Sequence, residues 1–207
     1  MNQFYTPFGP LLMRGVLSDN VFDILLKVSN STRYNMDQDF RNHLAGNIAE
    51  GYALKFTSSE QSTVHDEFIN LAKTYMTESK IRRKIKKFGR PKIQDVQIVE
   101  PIWVNFMKHG EWNPSHFHAG IISFVAYLKV PKEISQENLE AEHCKVSNQP
   151  TAGKIQWTYG ESIHFSETYF NQTPVEKDVW LFPSDLKHMV YPYKSQVERV
   201  SISCNFK

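Results

Sequence analysis

Apolar positions recur with two different periods along this chain, and the change falls near residue 93. Before it the spacing is helical. Ser18-Asp19 reads as a helix start, and Val21, Ile24, Leu25 and Val28 follow on one face. A weaker pattern predicts a second helix from Asp39 to Glu50, ended by Gly51. The clearest helix begins at the Ser58-Ser59 pair. There Val64, Phe68, Leu71 and Tyr75 step by four, three and four, which makes one apolar stripe. It runs into ESKIRRKIKKFGRPK and is stopped by Gly89 and Pro91.

After residue 93 the runs are short and rich in β-branched and aromatic residues. VQIVEPIWVNF, GIISFVAYLKVP, KIQWTYG, SIHFSETYF, DVWLFP, HMVYPY and RVSISCNF read as strands, most of them separated by Pro, Gly, Asn or Asp. So many short strands predict a closed or double-sheet antiparallel structure, a sandwich or jelly roll. The helices are then expected to cover one outer face of the sheet. The fold class is α+β with a mainly β core. A single domain is expected over 1–207, with 1–92 a mainly helical support region and 93–207 the jelly-roll core. The polar stretch 132–152, KEISQENLEAEHCKVSNQPTA, reads as a long surface loop.

Composition changes this picture little. The 207 residues are 41% hydrophobic and 22% charged, ordinary for a globular chain, so global disorder is excluded. A net charge of +2 favours neither nucleic acid nor membrane as a partner. Cys144 and Cys204 lie far apart and form no CxxC, which predicts a reducing interior rather than a disulfide framework. No charged region precedes a long apolar stretch at the N-terminus, and no segment has the ~20 apolar residues that span a bilayer. The expectation is a soluble cytoplasmic protein with no membrane partner; composition does not speak to its oligomeric state.

One charge cluster stands out. Eight of the thirteen residues in KIRRKIKKFGRPK (80–92) are Lys or Arg, a third of the chain's 24. Such a run can neutralise nucleic-acid phosphates. It also suits a solvated helix end, where cations favour the negative end of the dipole. The helix-end reading is preferred, because no stacking platform or groove-reading motif accompanies the run.

The chemistry-bearing stretch is NPSHFHAG (113–120). Strand side chains alternate faces, so His116 and His118 would share one face and Phe117 take the other. Two imidazoles a few ångströms apart can grip one metal ion; they can equally be polar residues at a strand edge. Among the eight histidines, His43 and His65 sit on expected helices, His109 in the turn KHGE, His143 in the polar loop and His164 beside a strand start. His188 differs, because it opens the strand HMVYPY and so sits at a strand end, as His116 does.

RVSISCNF carries a second signal. Period two puts Arg199, Ser201, Ser203 and Asn205 on one face, and Val200, Ile202, Cys204 and Phe206 on the other. The usual arrangement turns the polar face to solvent. Alternatively it lines a pocket, where an enclosed guanidinium needs an anion and Arg with a nearby hydroxyl suits a carboxylate.

HxH, a gap of strands, His188, and then Arg199 with Ser201 together resemble the Fe(II)- and 2-oxoglutarate-dependent oxygenases. More narrowly, they resemble a bacterial and phage subgroup related to prolyl hydroxylases. WVNFMKHGEWNPSHFHAGIISFVAYLKVP (103–131) and VWLFPSDLKHMVYPYKSQVERVSISCNF (179–206) carry the resemblance. It implies a double-stranded β-helix. It also implies Fe(II), 2-oxoglutarate and O2, with ascorbate as a reductant, and hydroxylation of a C–H bond in a peptide, amino acid or other small substrate. By the same resemblance His116, His118 and His188 are metal ligands, and Arg199, Ser201 and Tyr127 hold the distant carboxylate of 2-oxoglutarate. Asn105 and Asn205 would line the cosubstrate or substrate pocket. The wider family has an acid where His118 stands. Three neutral imidazoles leave a divalent site at +2, which dianionic 2-oxoglutarate would neutralise; the alternative is a remote acid, Asp185 or Glu111, as third ligand. A cupin-like metal protein without 2-oxoglutarate chemistry shares the histidines but not the Arg199-Ser201 face.

Overall fold

The computed structural model describes residues 2–5, 9–83, 92–165 and 167–207. In chain order these form β1 (Gln3–Tyr5), β2 (Leu12–Val16), α1 (Asp19–Thr32), β3 (Glu50–Ala53), α2 (Ser58–Arg83), β4 (Ile98–Met107), β5 (Asn113–His116), β6 (Ile122–Lys129), α3 (Lys132–Glu140), α4 (Glu142–Lys145), β7 (Ile155–Thr158), β8 (Tyr169–Gln172), β9 (Asp178–Pro183), β10 (Lys187–Val190) and β11 (Arg199–Phe206). A seven-stranded sheet runs in the order β1-β2-β9-β6-β11-β4-β3, and a four-stranded sheet in the order β5-β10-β7-β8. Every pairing is antiparallel. This is the double-stranded β-helix, a jelly roll with helices on one sheet.

Period two in the large sheet sorts side chains onto two sides. Val200, Ile202, Cys204 and Phe206 of β11, Phe124, Ala126 and Leu128 of β6, and Val179 and Leu181 of β9 face outward. They pack under Val21, Phe22, Leu25 and Val28 of α1 and Val64, Phe68, Ala72 and Tyr75 of α2. Residues of opposite parity, Tyr127, Trp180 and Phe182 among them, face the small sheet and meet Ile155 and Trp157. Both faces of the sheet are therefore dry, and β11 has no solvent side. α1 starts where expected, with Ser18 Oγ accepting the Val21 N–H at 3.3 Å. Phe68 is fully buried with its ring centroid 4.2 Å from that of Phe124. Phe68→Ala is expected to cost ~3–5 kcal/mol. For a chain of this size that lowers the thermal midpoint by about 10 °C, and an unchanged midpoint would show that the helix layer does not support the sheet.

Several local expectations are corrected. The stretch Asp39–Glu50 is not a helix. One 3-10 turn, Met36–Gln38, precedes it and another, Arg41–His43, lies within it before the chain enters β3. Asn35 Oδ1 accepts the Asp37 N–H, and Asp39 accepts both the Arg41 N–H and its guanidinium. Such local side-chain bonds compete with a continuous helix. The N-terminal region is not helical alone, since β1, β2 and β3 extend the large sheet at both edges. The stretch 132–152 contains α3 and α4 rather than only loop, held by tertiary contacts that periodicity does not report. SIHFSETYF is strand only from Tyr169, and His164 is exposed outside any strand. Of the basic run 80–92, residues 84–91 lie outside the described residues, as do the expected stops Gly89 and Pro91. Both cysteines are free and buried. Among the described residues no helix is long and apolar enough to cross a membrane.

Candidate active site

The small sheet brings His116 and His188 together by register. β5 and β10 are antiparallel neighbours, and the two histidines are direct cross-strand partners. Their ring centroids are 4.3 Å apart. β5 ends at His116, so His118 lies just beyond the strand, where its N–H donates to Ser184 O at 2.8 Å. That bond keeps the chain extended long enough for the alternation to hold. Phe117 turns out, 65% exposed, and His118 turns in, its ring 4.9 Å from His116 and 5.1 Å from His188. One ring nitrogen from each of the three lies within 4.8 Å of the others.

The chemistry of this donor set suits a metal. His116 Nδ1 is 2.6 Å from Pro114 O and His188 Nδ1 is 2.9 Å from Leu186 O. A carbonyl can only accept, so each Nδ1 carries the proton and each Nε2 keeps its lone pair free. Burial holds all three imidazoles neutral: His116 is lowered, His118 falls to about 4 and His188 to about 3, the latter two also repelled by His116. Neither acid considered as a replacement ligand joins the group. Glu111 accepts the Ala49 N–H at 3.0 Å and the Lys108 N–H at 2.7 Å, and Asp185 is exposed.

The same cavity continues from the histidines to Arg199, Ser201, Tyr127, Asn105 and Asn205. β11 lies between β4 and β6, and register places Asn105, Ser201 and Tyr127 in one row across the three strands. Arg199 is next but one along β11, only 2% exposed. Its Nη1 donates to Gly153 O at 3.0 Å and its Nη2 points to Met107 Sδ at 2.9 Å. Its Cζ lies 5.7 Å from the Tyr127 ring centroid. No carboxylate among the described residues forms an ion pair with it, and burial lowers its pKa. Nε of Arg199, Oη of Tyr127 and Oδ1 of Asn105 are all buried without a hydrogen-bond partner. Burial raises the Tyr127 phenol to about 12, so it stays a donor. Buried polar groups are rarely left unpaired; the free Arg199 N–H and Tyr127 hydroxyl are donors that suit an anion, whereas Asn105 Oδ1 is an acceptor and suits a donor group. Asn205 differs, since its Oδ1 already accepts the Ser123 hydroxyl at 2.8 Å.

The pocket-facing reading of the β11 polar face is therefore the one realised; the solvent-facing arrangement is not. Sequence reasoning did not find Gly153 and Met107, which hold the Arg199 head, nor Trp103 and Asn113, which line the cavity beside the histidines. Trp103 has the parity of Asn105 on β4, a signal that periodicity could have supplied. Gly153 acts through a carbonyl, which every residue has.

These features define a jelly-roll oxygenase with a three-histidine group and a basic pocket behind it. A family profile described as "Putative 2OG-Fe(II) oxygenase" matches residues 101–205, just over half of the chain, and the protein belongs to that family. By sequence no curated protein matches. Among solved structures, a prolyl-4-hydroxylase from Pseudomonas putida aligns at 12% identity and TM-score 0.55 over 95% of this chain and 91% of its own. A Trichoplax adhaerens prolyl hydroxylase, bound to a hypoxia inducible factor oxygen degradation domain peptide, gives 15% and 0.54 over 96% and 83%. HygX from Streptomyces hygroscopicus, bound to nickel, 2-oxoglutarate and hygromycin B, gives 8% and 0.50 over 97% and 83%. At such identities these likenesses show the fold. Family membership decides against a cupin-like protein lacking 2-oxoglutarate chemistry.

Proposed function

We propose that this oxygenase uses Fe(II), O2 and 2-oxoglutarate to hydroxylate a C–H bond of a peptide, amino acid or other small substrate, releasing succinate and CO2. In this reading His116, His118 and His188 hold the iron. Arg199, Ser201 and Tyr127 hold the far carboxylate of 2-oxoglutarate. Arg199 carries the proposal: a buried guanidinium that no acid among the described residues pairs with shares one cavity with three neutral imidazoles. Bound iron would couple oxidative decarboxylation of 2-oxoglutarate, with O2, to oxidation of the substrate.

The chain's own residues do the rest. The carbonyls of Pro114 and Leu186 fix two imidazole tautomers, so ligand lone pairs face the cavity without rearrangement. Arg199 offers charge, and the free Tyr127 hydroxyl and Ser201 add donors, so a carboxylate entering there is oriented as well as bound. Phe182, Ile155 and Val190 give the cavity apolar walls that limit water. Asn105, with its unpaired oxygen, and Asn205 line the same space and are assigned to cosubstrate or substrate contact. The peptide in the Trichoplax adhaerens structure supports a peptide substrate by analogy of fold.

The direct test is succinate formation from 2-oxoglutarate with Fe(II), O2 and ascorbate, alongside thermal unfolding. Succinate is expected only with metal present, and 2-oxoglutarate is expected to stabilise the protein only when a divalent metal is bound. Stabilisation without metal, or none with it, would defeat the proposal.

A further inference from the structure

Outside the triad, one further group of ligand-type atoms among the described residues lies within 4.8 Å: Glu137, His143 and Cys144. It is not built like a metal site. Glu137 Oε2 accepts the Ser195 N–H at 2.7 Å and its hydroxyl at 2.6 Å, and the Lys194 N–H is shared between both oxygens at 2.9 and 3.0 Å. Burial and the neighbouring Glu137 charge push the Cys144 thiol up, which keeps it protonated and a poor metal ligand. The carboxylate is occupied by the chain itself, and what it holds leads to Arg199.

Besides Met107, Gly153 O holds the head of Arg199 and Tyr193 Oη accepts its backbone N–H at 3.2 Å. Gly153 and Tyr193 are both held by α3. Ile134, fully buried, closes on Gly153 so tightly that a Cβ there would lie 2.4 Å from Ile134 Cγ2, and Gly153 itself sits at φ +66°. Gly153 N–H donates to Pro192 O at 3.2 Å. One turn along the same helix, Glu137 binds Lys194 and Ser195, directly after Tyr193. The Tyr193 hydroxyl in turn reaches Met107 O, on the residue whose sulfur meets the Arg199 head. The α3 helix thus braces Arg199 at both its backbone and its guanidinium tip.

We propose that Glu137 is a positioning residue for the cosubstrate: through Lys194, Ser195 and Tyr193 it holds Arg199 where the far carboxylate of 2-oxoglutarate binds. This rests on the function proposed above. A buried cation held by an uncharged carbonyl and a thioether is free to take a ligand anion, provided its geometry is set beforehand. A carboxylate with backbone donors is a strong anchor because each bond is charge-assisted. Glu137→Gln keeps the volume, loses the charge and presents an amide to N–H donors.

The test compares two ligands on Ni(II)-loaded protein by calorimetry. 2-Oxoglutarate uses the Arg199 end; pyruvate, a 2-oxoacid without the far carboxylate, does not. Glu137→Gln is expected to weaken 2-oxoglutarate about tenfold and leave pyruvate within about twofold. Ser195→Ala, which removes one of the bonds to Glu137, is expected to weaken 2-oxoglutarate about threefold with pyruvate again unchanged. It serves if the Glu137 variant does not fold. Equal weakening of both ligands would reduce Glu137 to a general structural role, and no change in either would also overturn the proposal. Arg199→Met is the reference. If it too leaves 2-oxoglutarate affinity intact, the failure lies in the assignment of Arg199 and not in Glu137.

Discussion

Arg199→Met is expected to raise the 2-oxoglutarate concentration for half-maximal succinate formation about 100-fold or more, a loss of ~3 kcal/mol typical of removing one member of a buried charge pair. Stability should move the other way or stay level. Arg199 is 2% exposed and its head meets a carbonyl and a sulfur, so among the described residues no acid neutralises this buried cation. Replacing such a charge with an apolar side chain of similar length is often neutral or stabilising. The expected signature is a thermal midpoint that does not fall without ligand, together with loss of the further rise that 2-oxoglutarate gives the parent protein. A variant that unfolds more easily yet keeps its 2-oxoglutarate requirement would mean that Arg199 serves packing alone.

His188→Ala is expected to bring turnover to background, a fall on the order of 1000-fold, or ~4 kcal/mol. His188 is the most enclosed of the three imidazoles, with Phe182 4.7 Å from its ring and His116 directly across the strand pair. Removing it leaves two donors and a gap. Calorimetric titration with Fe(II) under anaerobic conditions should show metal affinity falling in step with turnover. His118→Ala belongs in the same experiment, because His118 stands where the wider family has an acid. It is expected to lose metal as His188→Ala does. Unchanged metal affinity in His118→Ala would show that two histidines suffice and that His118 is no ligand.

Much of this site was legible from residue order. The period-two pattern of RVSISCNF separated Arg199, Ser201, Ser203 and Asn205 from Val200, Ile202, Cys204 and Phe206, and the two sets do face opposite ways. SHFH paired His116 with His118 for the same reason, although the strand ends at His116 and the Ser184 carbonyl maintains the extension. What periodicity cannot report is what lies across from a face. A polar row on a strand looks the same whether water or a second sheet covers it. Here β7 and β10 cover it, and α1 and α2 cover the other side.

The N-terminal strands and the 132–152 helices were hidden for related reasons. β1 and β3 are short edge strands of three and four residues; β1 pairs with the nearby β2, but β2 must find β9 and β3 must find β4, both distant in the chain. The α3 helix has one fully buried apolar side chain, Ile134, and its other inward contact is a carboxylate. Hydrophobic spacing therefore had little to register.

The sequence by itself determined the two-faced strands, the helix that starts at Ser18, the histidine pair and the order of chemical groups that marks the family. These are local properties, set by alternation, capping and residue type. Only the tertiary structure decided that His188, from a separate strand, joins the histidine pair and that the polar face of β11 looks inward. It alone placed a glycine carbonyl and a glutamate from α3 behind the arginine. Those depend on sheet register and on backbone atoms, and backbone atoms carry no residue identity for a sequence to display.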